Sequence, residues 1–460
     1  MRRKSGSTNI EAEPAGGGSL RKRAVTGTKW SFVSKLLNIL LQLGSLSVLS
    51  RLLVPEDFGL LAIAMVVVTF GQIFSDAGIS AAIVQRGTSS REELSSLYWL
   101  NVLGGVAVTL VYLLCIPVVE AFFVEPRLRE LLLWLAPIFI CTAFGQQSRL
   151  LLEREMKFRA ISIIETLNAV IAAAVAIGLA VLGFGVLSLV WSSLTSAALG
   201  ACMLNLVCWR RWRPRMHFRG ADVTPVLRFG LFQMGEKFLN YWGWQWDKII
   251  IGLTLGSQLL GFYSLAYRLA LYPIQTINPV LNRVTFPLFS KVQRDDAKLR
   301  GGFLFIIRSL SMVTMPIFAG VIVTSDLIVE VLLGAQWTAS GPILSVLAIL
   351  GFFFTIGNPI GSLLLAKGRA DIGFYMNVWM TVIYGAAAWI GSRFGVVGVA
   401  WALVVAQALL VFPIGFPVRF RLVGMRALEF VGAFLPFLAM SLAMAGGVWA
   451  LRRSAGLDGG

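Results

Sequence analysis

Histidine is nearly missing from this chain of 460 residues: His217 is the only one. It lies between Arg215 and Arg219 in a basic loop, where a solvated role is expected rather than proton carriage. Acidic residues number 23, and charged residues of both signs make up 14% of the sequence, against about 25% in soluble proteins. That shortage excludes a soluble domain of this length. Cysteine is scarce too. Cys115, Cys141, Cys202 and Cys208 lie in or beside apolar stretches without CxxC spacing or a histidine cluster, so no metal site, cofactor or disulfide framework is expected. They read as packing residues. No apolar stretch follows Arg2-Arg3, which argues against a cleaved or twin-arginine signal.

What the chain has instead is long apolar runs: 57% of residues are hydrophobic and the mean hydropathy is +0.78. The runs are near the roughly 20 residues that cross a bilayer as a helix. Thirteen spans are expected, near 30–53, 58–80, 94–118, 129–150, 160–182, 185–208, 226–250, 258–285, 302–324, 340–365, 372–392, 395–417 and 428–450. The fold class is therefore all-α, a polytopic membrane bundle. Residues 1–28 read as a disordered basic cytoplasmic tail, 29–224 and 225–420 as two six-helix lobes, and 421–460 as an additional span and tail.

The formal charge of +17 suits a nucleic acid or an anionic ligand, but its distribution follows the membrane. With the N-terminus cytoplasmic, 28 Lys and Arg fall in the tail and cytoplasmic loops, and seven fall on the opposite side. This is the positive-inside pattern, and nucleic-acid binding is set aside.

Two stretches repeat at an offset of 202 residues: Lys35-Leu36-Leu37-Asn38 and Lys237-Phe238-Leu239-Asn240. Gly59 and Gly261 recur at the same offset, and Phe184-Gly185-Val186 with Trp191 returns as Phe394-Gly395-Val396 with Trp401 at 210. Ordered matches at nearly constant spacing indicate a duplication. Six spans separate equivalent positions, so the halves run the same way through the membrane and an axis along its normal relates them.

A charge within a spanning helix costs roughly 2.5–3.5 kcal/mol on insertion scales, so such residues face protein or water. Ser31, Lys35, Asn38, Gln42 and Ser45 form one helical stripe; Gln233, Lys237, Asn240, Trp244 and Asp247 form its counterpart. On the eighth span Arg268 aligns with Gln275, Asn278 and Asn282. The expected substrate cavity is lined by Lys35, Asn38, Gln42, Lys237, Asn240, Arg268, Gln275 and Asn278. Its cations favour an anionic cargo such as phosphate or pyrophosphate. A second reading stays open for both lysines, since each lies close enough to a cytoplasmic end to snorkel to headgroups. Trp242, Trp244 and Trp246 suit either sugar stacking or an interfacial belt. Asp76, Glu165, Glu236 and Asp247 are the acids available for a gate or ion coupling.

Several stretches carry a family resemblance: Ser50-Arg51-Leu52-Leu53-Val54-Pro55-Glu56-Asp57-Phe58-Gly59-Leu60, Phe74-Ser75-Asp76-Ala77-Gly78-Ile79-Ser80-Ala81-Ala82, Arg154-Glu155-Met156-Lys157-Phe158, and Gly261-Phe262-Tyr263-Ser264-Leu265-Ala266-Tyr267-Arg268. Over about residues 29–450 the chain resembles the oligosaccharide flippases of the multidrug/oligosaccharidyl-lipid/polysaccharide exporter superfamily, most of all the colanic-acid-type exporters. The resemblance implies two six-helix lobes around a central cavity, working by alternating access. It implies a cargo of undecaprenyl-pyrophosphate-linked oligosaccharide, moved to the periplasmic leaflet of the bacterial inner membrane. Polysaccharide polymerase and export machinery are the partners it suggests, beside membrane lipids. Thirteen spans depart from the twelve or fourteen of many relatives.

Two rivals remain at this stage. A cation-coupled small-molecule exporter shares the architecture but more often sets acids in its cavity. A membrane glycosyltransferase or polymerase needs catalytic groups in sizeable external loops. Here the external Pro55-Glu56-Asp57 turn is also an ordinary helix start, so no enzyme is expected.

Overall fold

The computed structural model describes residue 35 and residues 37–75, 90–123, 125–209 and 212–454. Among the described residues, helix falls within each of the thirteen expected spans and no strand occurs, while residues 30–34, 36 and 76–80 of the first two spans lie outside the described residues. The segments are α1 (Leu37–Leu52), α2 (Pro55–Ser75), α3 (Arg91–Phe122), α4 (Pro126–Leu135) continued by α5 (Ile138–Arg154), α6 (Phe158–Val181) and α7 (Leu187–Cys208). There follow α8 (Gly220–Thr254), α9 (Ser257–Lys291), α10 (Asp296–Leu332), α11 (Ser340–Gly357) continued by α12 (Ile360–Ala366), and α13 (Ala370–Ser392). The last are α14 (Gly395–Leu409), α15 (Gly415–Val423) and α16 (Ala427–Ser454). Several run past the hydropathy boundaries. The expected span 302–324, for example, sits inside α10, because Asp295 caps its start by accepting the Lys298 N–H at 3.0 Å.

The chain divides into two compact units, Met1–Tyr241 and Trp242–Gly460, with the division inside α8. In the first unit the family-like motifs are turns. Val54 N–H donates to Asp57 Oδ2 at 3.4 Å, and Asp57 is buried at the start of α2. Asp57 thus reaches back to cap the start of a helix, while Glu56 pairs with Arg127 at 3.8 Å. Met156 takes a left-handed φ of 55° in the Arg154–Phe158 motif, which turns the chain from α5 into α6. Lys157 pairs with Glu155 across that turn.

The repeated Phe-Gly-Val stretches share backbone geometry. Gly185 has φ 54° and Gly395 has φ 78°, the left-handed region that glycine enters without penalty, and each turns the chain into a helix. Trp191 and Trp401, six residues on, are both exposed. Sequence and conformation therefore repeat together at these two positions.

In the second unit the apolar core joins Phe289, Leu299, Phe303, Ile307, Leu363 and Met425. Two helices bend there. α10 leaves helical geometry at Thr324 (φ −114°, ψ 16°), and Arg452 of α16 donates to the Val323 carbonyl beside that kink. Between α14 and α15 a wide turn, Leu410–Ile414, contains Pro413, whose ring nitrogen has no hydrogen to donate.

Candidate functional site

The first unit holds a cavity of about 350 Å³ that gathers seven polar side chains within otherwise apolar helices. Thr69, Gln72, Ile73 and Ser75 come from α2, Asn101 from α3, Thr142, Ala143 and Gln146 from α5, and Lys237 from α8. Helix packing sets these walls. A Cβ on Gly105 would stand 2.7 Å from the Ala143 methyl and 3.0 Å from the Phe139 carbonyl, so α3 and α5 meet there only because the residue is glycine. Asn101 then donates to the Ala143 carbonyl at 2.8 Å, and Gln147 to the Leu94 carbonyl at 2.7 Å. Buried amides in an apolar unit fix helix register through such bonds.

Chemically the cavity offers one ammonium, three amides and several hydroxyls, with no carboxylate among the described lining residues. Amides and hydroxyls both donate and accept, which matches a polyol, and the ammonium matches an anion.

The sequence candidates divide between the units. Lys237 lines the cavity, and Asn240 is exposed three residues further along the same helix. Lys35, Asn38 and Gln42 are not among its lining residues. Lys35 and Gln42 are exposed, while Asn38 Nδ2 donates to Thr166 Oγ1 of α6 at 3.4 Å. Glu165 is an ion-pair partner: Arg149 bridges it at 2.7 Å and Glu153 at 3.0 Å. Asp76 and the side chain of Glu236 lie outside the described residues.

In the second unit Arg268 and Gln275 are exposed and Asn278 is half-buried. Asp247 is buried at 5% exposure. Its Oδ2 accepts from the Tyr263 hydroxyl at 2.7 Å, while Oδ1 is buried without a hydrogen-bond partner. A small cavity of about 10 Å³ adjoins it, lined also by Gly243, Trp244, Tyr267, Leu350, Phe354, Tyr384 and Leu403. That is space for about one water-sized particle. Tyr384 donates onward to Gln407. A carboxylate held this way is costly unless a proton or cation joins it. The tryptophans beside it are packed: Trp242 and Trp246 lie 5.2 Å apart, and Trp244 is 5.0 Å from Phe354.

Sequence reading missed Gln72, Asn101, Gln146, Tyr263 and Gln407. Each is a polar residue within an apolar span, a signal that was present but spread over helices without an internal repeat.

A family model described as polysaccharide biosynthesis protein matches residues 48–342. The chain is 33% identical to the lipopolysaccharide biosynthesis protein WzxC of Escherichia coli strain K12, covering 85% of this chain and 80% of that protein. It is 31% identical to the teichuronic acid biosynthesis protein TuaB of Bacillus subtilis strain 168, over 85% and 81%. Among solved structures, the lipid II flippase MurJ in an inward closed conformation matches at a TM-score of 0.71 and 16% identity, over 91% of this chain and 92% of that one. An inward-facing multidrug resistance transporter of the multidrug and toxin extrusion family, in the superfamily expected above, matches at 0.62 and 15%, over 85% and 98%. At those identities the likeness is one of fold, and it is the fold that the motifs imply.

Proposed function

The chain belongs to the polysaccharide biosynthesis protein family, multi-pass inner-membrane transporters rather than enzymes, and on that premise we propose that it flips undecaprenyl-pyrophosphate-linked oligosaccharide. The movement runs from the cytoplasmic to the periplasmic leaflet by alternating access, in exopolysaccharide or lipopolysaccharide biosynthesis. The observation that carries this reading is the cavity around Lys237. Amides and hydroxyls suit the glycan, and the ammonium suits its anionic end. Exposed Arg268, Lys35 and Gln275 are further contacts for that cargo, while the lipid tail stays in the bilayer. The excess of basic residues on one side supports a cytoplasmic N-terminus. A polysaccharide polymerase and export machinery are the partners that would consume the product.

Asp247 is the acid that the geometry favours for ion coupling, since one of its oxygens is buried without a partner beside a cavity of ion size. Glu165 is less suited, being already paired with Arg149.

The test is translocation of a fluorescent polyprenyl-pyrophosphate-linked sugar in proteoliposomes. Protein-dependent transfer between leaflets is expected. Equal rates with and without protein would overturn the proposal.

A further inference from the structure

The eleven residues 209–219 that join α7 to α8 contain five arginines, Arg210, Arg211, Arg213, Arg215 and Arg219, and no acid. Such a stretch reads as a loose basic loop. The structure pins residues 212–219 instead. Trp212, 5% exposed, packs with Leu94, Tyr98 and Val102 of α3, its ring centroid 5.5 Å from that of Tyr98. Trp99 Nε1 donates to the Arg215 carbonyl at 2.8 Å. The Arg215 N–H donates to Ser95 Oγ at 3.1 Å, and the Arg219 N–H to Ser96 Oγ at 3.2 Å.

All three bonds use backbone atoms of Arg215 and Arg219, so they leave those two guanidinium groups to other partners. Arg213 Nε donates to the Trp209 carbonyl at 3.1 Å and keeps its terminal nitrogens outward. Arg213, Arg215 and Arg219 are exposed. Interleaved with them are apolar side chains that face outward: Met216 at 90% exposure, Phe218 at 54% and Trp209 at 51%. The Arg213 guanidinium lies 5.1 Å from the Trp209 ring centroid. The segment begins one residue after α7, a helix long and apolar enough to cross the membrane. It therefore leaves the bilayer at the level of the headgroups.

We propose that Trp209 and residues 212–219 form a built binding site for anionic phospholipid headgroups of the leaflet from which α7 emerges. The guanidinium groups take the phosphates, and Met216 and Phe218 sit among the upper acyl carbons. Arginine binds phosphate through paired N–H donors. Cations interleaved with apolar tips are the pattern of a segment lying in the interface. A soluble polyanion would satisfy the cations and leave Met216 in water; a bilayer satisfies both. Because α3 carries the seat and contributes Asn101 to the polar cavity, lipid charge would bear on a helix that also lines that cavity.

Native mass spectrometry of the full-length protein, titrated with phosphatidylglycerol or phosphatidylcholine, tests this. Each basic residue near an anionic surface is worth about fivefold in affinity. The triple variant Arg213→Gln, Arg215→Gln, Arg219→Gln is expected to lose at least about tenfold in phosphatidylglycerol affinity, with phosphatidylcholine unchanged. The Lys triple at the same positions should keep binding within a few fold. Met216→Ser with Phe218→Ser should weaken both lipids alike. Parent-like phosphatidylglycerol binding by the Gln triple would overturn the proposal, as would a parent that does not distinguish the two lipids. If the Gln triple fails to fold, the Lys triple decides: loss of binding in that folded variant would rule out a charge-based site.

Discussion

The Tyr263 hydroxyl donates to Asp247 Oδ2 at 2.7 Å, leaving the other carboxylate oxygen buried beside a cavity with room for about one water-sized particle. The two residues sit on consecutive helices, α8 and α9, so one bond ties helix position to carboxylate state. Tyr263→Phe removes the donor and is expected to cost about 1–3 kcal/mol of stability. Asp247→Asn keeps the shape but cannot exchange a proton. In proteoliposomes with and without an imposed proton gradient, Asp247→Asn should transport at one rate in both. A gradient-stimulated Asp247→Asn protein would remove this residue from the coupling.

Lys237 supplies the ammonium of the polar cavity. Lys237→Met keeps the length and apolar stem while deleting a charge-assisted bond of about 1.5 kcal/mol or more. Flipping should fall on the order of tenfold, with membrane insertion and yield unchanged; Lys237→Arg should be milder. Arg268→Ala and Lys35→Ala should each lower export in cells. Export at the parental level by the double variant would remove Arg268 and Lys35 from cargo recognition and leave Lys237 alone in that role.

The all-helical membrane fold was legible because it rests on local signals. Apolar length marks a span, and Gly185 and Gly395 hold the same left-handed turn in both halves. Of the residues lining the two cavities, those legible in the sequence were anomalous by themselves, as Lys237 and Asp247 are. Asn101 and Gln146 are ordinary one at a time. They become walls of a cavity only when Gly105 lets α3 and α5 close to contact, and no single-helix periodicity encodes a meeting of two helices. The pairing of Glu165 with Arg149 was hidden for the same reason: sixteen residues and a turn separate them.

That close approach makes Gly105 a stability position. Gly105→Val must push against the Ala143 methyl and the Phe139 carbonyl, and the backbone on the far side cannot yield cheaply. Overpacking of this kind costs about 1–3 kcal/mol, which a detergent melting curve would register. The register bond from Asn101 to the Ala143 carbonyl should weaken with it, so transport is expected to fall as well. A Gly105→Val protein with parental melting temperature would mean that α3 and α5 are free to separate.

Arg419 poses the opposite problem, a cation at 1% exposure with no acid beside it among the described residues. Its guanidinium donates to the Val411 carbonyl at 2.9 Å, in the wide turn that contains Pro413, and lies 4.6 Å from the Phe430 ring centroid. The side chain thus bridges the bend between α14 and α15 to the first turn of α16. Arg419→Ala empties a large volume and leaves that carbonyl without this donor, for an expected loss of about 2–4 kcal/mol. Arg419→Met fills most of the space and removes a buried charge, so its cost should be smaller. Melting temperatures of the two variants would separate the contributions. If Met proves as damaging as Ala, the bond to Val411 is what holds the bend; if Met is near parental, packing against Phe430 suffices.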